Sequence, residues 1–320
     1  MQKIVAVSKD NTGQGRNTGR AAESAMQKIR TPLRGPRDPA ESWELHCTGS
    51  EGVSYLRGAC DVFPYVPRRA EDVPEGALET LGDVCGFEGL GQVFIIPWAA
   101  RSTGLGDQHA ISPATVLGIG ARAVGLWTEK PEPGVKVAIP LERLSAIEDI
   151  TLLLYGRLSF ISLGDRLTIR YNTLARFALE PALRELRKRL AGPPQPLPAD
   201  AGKCPELPAK WEGLLRSPLV RFHEGAPVAF RFAVEPGKRR NEPDRSQLLV
   251  ISPQELVYLR DPLDSSHAYG EDSFIVPRTR ISRVRVREKY LEIASNGERF
   301  SLSMAPRLRE AAAGWFAAKS

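Results

Sequence analysis

A chain of 320 residues is longer than a single hydrophobic core usually spans, so two or more domains are expected. Its apolar fraction of 42% and charged fraction of 26% lie in the range of soluble globular proteins, and no run is apolar enough to cross a bilayer or serve as a signal peptide. The net charge of +6, carried mainly by arginine, favours anionic partners without choosing among lipid, nucleic acid and acidic protein, and Cys47, Cys60, Cys85 and Cys204 lack the paired spacing of a zinc ribbon or disulfide framework.

Residues 1–40 read as a basic, poorly ordered arm. Lys3, Lys9, Arg16, Arg20, Lys28, Arg30, Arg34 and Arg37 are opposed only by Asp10, Glu23 and Asp38, and Gly, Asn, Thr and Pro break any apolar period. Residues 41–76 turn aromatic, with Trp43, Tyr55, Phe63 and Tyr65, and read as an extension that packs on the segment C-terminal to it, since aromatic side chains at this density are seldom left in water.

From 77 to 191, short apolar runs separated by Gly or Pro fall at 92–98, 115–119, 123–127, 135–139, 144–147, 152–155, 158–161 and 166–171. This pattern predicts a sheet or barrel in place of βαβ units, and Gly118 and Gly120 read as a sharp bend where the sheet coils. Leu179, Leu183, Leu186 and Leu190 then share a helical face, with Pro181 in the first turn and Gly192-Pro193-Pro194 as the stop. Residues 192–208, rich in Pro and Ala, read as a semi-rigid linker that leaves two domains a limited range of orientations. From 209 to 320, strands are predicted at 228–234, 247–251, 255–259, 273–276, 281–286, 290–293 and 299–303, and Pro306 opens a helix presenting Leu308, Ala312, Trp315 and Phe316.

The two segments are copies of one another. Ile139-Pro140-Leu141-Glu142-Arg143-Leu144-Ser145-Ala146-Ile147 returns as Val276-Pro277-Arg278-Thr279-Arg280-Ile281-Ser282-Arg283-Val284. Other blocks recur in the same order: Phe87-Glu88-Gly89-Leu90 with Trp211-Glu212-Gly213-Leu214, Gly164-Asp165-Arg166 with Gly297-Glu298-Arg299, and Pro181-Ala182-Leu183-Arg184-Glu185 with Pro306-Arg307-Leu308-Arg309-Glu310. Length changes fall between the matching blocks, as they do when loops vary on a duplicated fold.

Seven short antiparallel strands, one amphipathic helix, a strand ending in Tyr258-Leu259 and the Pro-x-x-Arg-aliphatic phrase resemble bacterial pleckstrin-homology (PH) and GRAM-type domains. The resemblance implies a mainly β protein: two tandem PH-like bent seven-stranded barrels, each closed by a C-terminal helix, preceded by an N-terminal extension. Trp315 is similar to the aromatic that plugs the barrel in this family, whereas the first repeat has only aliphatics such as Leu190. Members dock lipid headgroups, peptides or proteins, and lipid-binding members use basic residues on the first strand and the loop after it. Arg231, Lys238, Arg239 and Arg240 hold the similar positions here, beside Glu242 and Asp244, while the matching loop of the first repeat, 101–109, is nearly uncharged.

A second basic group is read from the residues alone. Arg283, Arg285 and Arg287 alternate with Val284 and Val286, which places guanidinium groups on one strand face and valines on the other; Arg278 and Arg280 extend the patch. Both a phosphate- or acidic-peptide-binding surface and a solvated face paired with local carboxylates fit that pattern. No catalytic residue, metal or cofactor is expected. Gly118-Ile119-Gly120 is followed by a predicted strand and so cannot form a dinucleotide turn, His46-Cys47 with Cys60 cannot converge on one ion, and His109, His223 and His267 stand alone. The expected function is that of a non-enzymatic bacterial adaptor, cytoplasmic or peripheral at the inner face of the membrane, docking to a protein partner or an anionic lipid headgroup. An enzyme with its site between residues 42–73 and the first repeat, and nucleic-acid binding through the arm, are the alternatives.

Overall fold

The computed structural model describes residues 63–97, 99–102, 109–112, 115–129, 133–152, 155–198, 207–216, 228–237, 244–261 and 270–317; the basic arm and most of the aromatic extension lie outside them. Helix α1 (Ala77–Cys85) comes first, then β1 (Val93–Ile96), the hairpin β2 (Ala99–Ser102) and β3 (His109–Ser112), and β4 (Thr115–Ile119), β5 (Ala123–Thr128) and β6 (Gly134–Pro140). A meander of β7 (Leu144–Leu152), β8 (Tyr155–Ser162) and β9 (Asp165–Asn172) leads into α2 (Arg176–Ala191). Among the described residues the second half repeats this order without a counterpart of the β2–β3 hairpin: α3 (Ala209–Arg216), β10 (Ala229–Glu235), β11 (Arg245–Ile251), β12 (Glu255–Arg260), β13 (Gly270–Pro277), β14 (Ile281–Val286), β15 (Tyr290–Ser295), β16 (Glu298–Ser303) and α4 (Pro306–Phe316). The protein is mainly β, and all its strand pairs are antiparallel among the described residues.

The repeated phrase encodes one local device used twice. After the prolines, Leu141–Arg143 and Arg278–Arg280 each make a 3-10 turn. The next strand then carries a bulge, between Leu144 and Ala146 in β7 and between Ile281 and Arg283 in β14. Ser145 and Ser282 are the extra residues, which explains why a small hydroxyl side chain recurs there. Gly164 and Gly297 adopt matching left-handed conformations, φ 83° and 84°, in the hairpins that come next. Leu152 and Tyr155, read within one strand, end β7 and open β8 opposite one another, and Phe87-Glu88-Gly89-Leu90 lies after α1 whereas Trp211-Glu212-Gly213-Leu214 lies inside α3. That pair of blocks is alike in sequence and different in structure.

The halves are not separate barrels. β13 of the second half pairs with β7 of the first, from Gly270 opposite Leu152 to Ile275 opposite Ile147, giving an open seven-stranded sheet in the order β10-β11-β12-β13-β7-β8-β9. The other sheets, β1-β4-β5-β6, β14-β15-β16 and the two-stranded β2-β3, are open as well. The start of the linker read at 192–208 is held against the second half. Gln195 N donates to Pro253 O, the Arg278 guanidinium binds the Gln195 and Pro196 carbonyls, and Leu197 packs on the second core.

One core runs under the shared sheet. Leu158, Phe160 and Leu167 of the first half are continuous with Leu248, Val250 and Val257 of the second, with α2 and Trp211 of α3 packed against them. A second core gathers Tyr258, Leu291, Ile293 and the predicted α4 face of Leu308, Ala312, Trp315 and Phe316, together with Ala146 and Ile161 from the first half. α2 begins at Arg176, which places Pro181 in its second turn and not in the first as expected, and it buries Leu179, Leu183, Leu186 and Leu190. A third core packs α1 on the outer face of β1, β4 and β5.

Gly118 and Gly120 serve this third packing and not a bend. Neither has positive φ, but a Cβ on Gly120 would lie 2.1 Å from the Cys85 carbonyl oxygen, and one on Gly118 would lie 2.5 Å from the Phe87 ring. Replacing Gly120 by Ala should lower unfolding free energy by about 1–3 kcal/mol, read by urea denaturation. Because both larger cores cross the repeat boundary, the described body should melt in one calorimetric transition; two resolved transitions would contradict the shared sheet.

Candidate functional site

A cluster of buried and half-buried ionisable side chains lies along the boundary between the halves. Asp149 of β7 accepts hydrogen bonds from the Tyr171 hydroxyl at 2.7 Å and from Arg176 at 2.7 Å, and Arg176 reaches on to Glu271 of β13 at 2.8 Å. Gly156 leaves the room that the Tyr171 ring fills, since a Cβ there would come within 2.4 Å of it. Burial pushes the Asp149 carboxyl up, against the opposing pull of Arg176 and Tyr171, and burial also raises the Tyr171 phenol. Nearby, Arg187 of α2 and Glu255 of β12 form an ion pair with side chains only 4% and 1% exposed. None of these residues was legible as a site, because each partner lies far away in the chain.

Two of the arginines assigned to the basic patch are structural. Arg278 is 3% exposed and gives its donors to the carbonyls of Ser252, Gln195 and Pro196, so burial lowers its basicity and no anion can reach it. Arg280 crosses the boundary to the Leu144 carbonyl. Burial lowers its basicity in turn. Arg231 lies over the Trp315 ring at 5.8 Å and donates to the Phe230 carbonyl. Lys238, Arg239, Arg240 and Glu242 lie outside the described residues, as do His46, Cys47 and Cys60, and with them most of the alternative enzyme site.

Arg283 and Arg285 do face solvent, on the outer side of β14. Among the described residues neither has a carboxylate partner, whereas Arg287 lies 3.8 Å from Glu292. The equivalent face of the first half shows what these positions become when they are used internally. Ala146 and Ile161 occupy the places of Arg283 and Ala294 and are buried in the second core. Glu148 stands where Arg285 stands and is paired with Arg157 at 3.3 Å and with Arg166. On one repeat the face is covered and its carboxylate neutralised; on the other it is open and its arginines have replaced both.

Among the described residues no group of acidic, His and Cys side chains could hold a metal ion. Cys85 is buried under α1 with its thiol pushed up to about 12 by burial, which removes it as a nucleophile at neutral pH. A cavity of about 10 Å³ between β4 and α2, beside Gln92 and Arg189, has room for one water and no substrate. No helix of the described residues is long and apolar enough to cross a membrane. No protein-family model matches the chain, and no curated protein matches it.

The boundary ion pair generates a test. Arg187→Met leaves a carboxylate buried without its partner and should cost about 3–5 kcal/mol of stability in urea denaturation, while Arg187→Met combined with Glu255→Met should recover most of that loss.

Proposed function

We propose that the chain is a non-enzymatic docking protein, built of two PH-like units fused through a common sheet, that holds an anionic partner on the outer face of β14–β16. The observation that carries this reading is the arginine pair Arg283 and Arg285, exposed and without a described carboxylate partner at positions where the first repeat has Ala146 and Glu148. An unpaired guanidinium costs little in water and becomes valuable when a carboxylate or phosphate arrives, because charge-assisted hydrogen bonds are about twice as strong as neutral ones. Arg299, on the same face and exposed, adds to the field, and Glu292 is the single acid opposite Arg285.

The PH-like assignment is supported by a shared order of elements: six strands in the first half and four in the second, followed in each by a 3-10 turn, three strands and a helix. The family's lipid site on the first strand is not favoured here, since Arg231 is committed to Trp315 and the Phe230 carbonyl. The protein would work in the cytoplasm, free or peripheral to the membrane, with no catalytic step.

Arg283→Glu combined with Arg285→Glu should weaken binding by at least about tenfold, and the wild-type interaction should fade with added salt. Co-sedimentation with anionic and neutral vesicles, alongside capture of proteins from the native host, measures both classes of partner. If neither responds to the charge reversal, the arginine face has no part in function. Arg278→Ala serves as the contrast, expected to lower stability because it strips three carbonyls of their donor.

A further inference from the structure

We propose that the outer face of β14–β16 binds single-stranded RNA, with Tyr290 stacking on a base and the surrounding arginines holding the phosphates. This rests on the docking reading above and names the partner for the same face. β15 buries Leu291, Ile293 and Ser295, so alternation turns Tyr290, Glu292 and Ala294 to the outer side. Tyr290 is 37% exposed. Register then places its neighbours: Arg285 lies opposite Glu292, Arg283 and Arg299 flank Ala294 from either side, and Ser301 and Ser303 lie opposite Glu292 and Tyr290. Arg287 N donates to Tyr290 O at 2.9 Å, and its guanidinium lies 3.8 Å from Glu292 on the same face. The sheet therefore presents an aromatic ring among arginines and two exposed serines.

The first repeat uses these positions internally. Counted from the matched glycines Gly164 and Gly297 and the matched bulges, Arg157 stands where Tyr290 stands and Glu148 where Arg285 stands. Arg157 and Glu148 are an ion pair at 3.3 Å. In the second repeat the acid has become an arginine and its partner an exposed ring. That exchange removes the pair that neutralised the face and adds a surface on which a planar base can lie.

Single-stranded nucleic acids are held by a basic track for the backbone and by aromatic rings for the bases. Arg283, Arg285 and Arg287 recur at alternate residues, about 7 Å apart in extended chain, a stride close to that of successive phosphates. Ser301 and Ser303 offer hydroxyls to the ribose 2′-OH, the group that separates RNA from DNA. An anionic bilayer is the less suitable occupant: Tyr290 apart, the outward residues of these strands include no apolar side chain larger than Ala294 to enter the headgroup layer. An acidic peptide would pair with the guanidinium groups and leave the ring uncovered.

The probe is a fluorescently labelled RNA of about fifteen nucleotides, alternating adenosine and cytidine so that it cannot pair with itself, titrated onto the full chain by anisotropy. Saturable binding that weakens with salt is expected. Tyr290→Ala should weaken it at least about fivefold, while Tyr290→Phe, which keeps the ring, should bind as wild type does. Arg283→Glu combined with Arg285→Glu should weaken it at least about tenfold and flatten the salt dependence. The deoxy strand of the same sequence and the RNA paired with its complement should both bind less tightly. Unchanged binding by Tyr290→Ala would reduce the interaction to charge and overturn stacking, and equal affinity for the deoxy strand would overturn the choice of RNA. Binding that survives both Tyr290→Ala and the arginine reversal belongs to another part of the chain and removes RNA from this face. If the RNA fails to bind while anionic vesicles or a captured protein are lost on arginine reversal, the docking face stands and the RNA inference falls.

Discussion

The pairing of β13 with β7 is the constraint on which the rest of the molecule depends. Each half of the duplicated chain leaves a strand edge with exposed backbone donors and acceptors, and such an edge is unstable unless something covers it. Here the second half covers the first. Once that ladder forms, Asp149, Tyr171, Arg176 and Glu271 are enclosed together and must satisfy one another, and Arg187 must find Glu255. The boundary is thereby wetted with charge yet closed to solvent, which favours a fixed arrangement of the halves because any slippage would leave buried charges without partners.

Duplication then leaves an inequality. The edge of β7 is consumed, whereas among the described residues no strand lies along the outer edge of β14. Repeat proteins commonly give their terminal unit a polar outer face for this reason. Arginine at 283 and 285 does that here, and charged side chains on an edge strand discourage indiscriminate pairing with other chains.

How much of this could be read beforehand varies by residue. The seven strands of the second half and the buried face of α4 were legible, because they are set by apolar runs, Gly and Pro punctuation and helical spacing. The bulge at Ser145 and Ser282 was visible as a repeated phrase, although its form was not. Gly118 and Gly120 were misread, since a glycine needed for close approach of α1 looks the same in sequence as one needed for a bend. Arg278 and Arg280 were grouped with Arg283 and Arg285 by proximity along the chain, yet a 3-10 turn sends the first pair inward while the strand sends the second pair out.

The sequence by itself determined that the protein is mainly β and that a run of short strands ending in a helix comes twice, because periodicity and repetition are local properties of the chain. Only the tertiary structure decided that the two halves share a sheet and which arginines turn inward and which stay exposed. Those outcomes rest on contacts between residues more than a hundred positions apart, such as Thr151 with Glu271 and Ser145 with Ser295, whose pairing leaves no mark on the neighbouring residues of either.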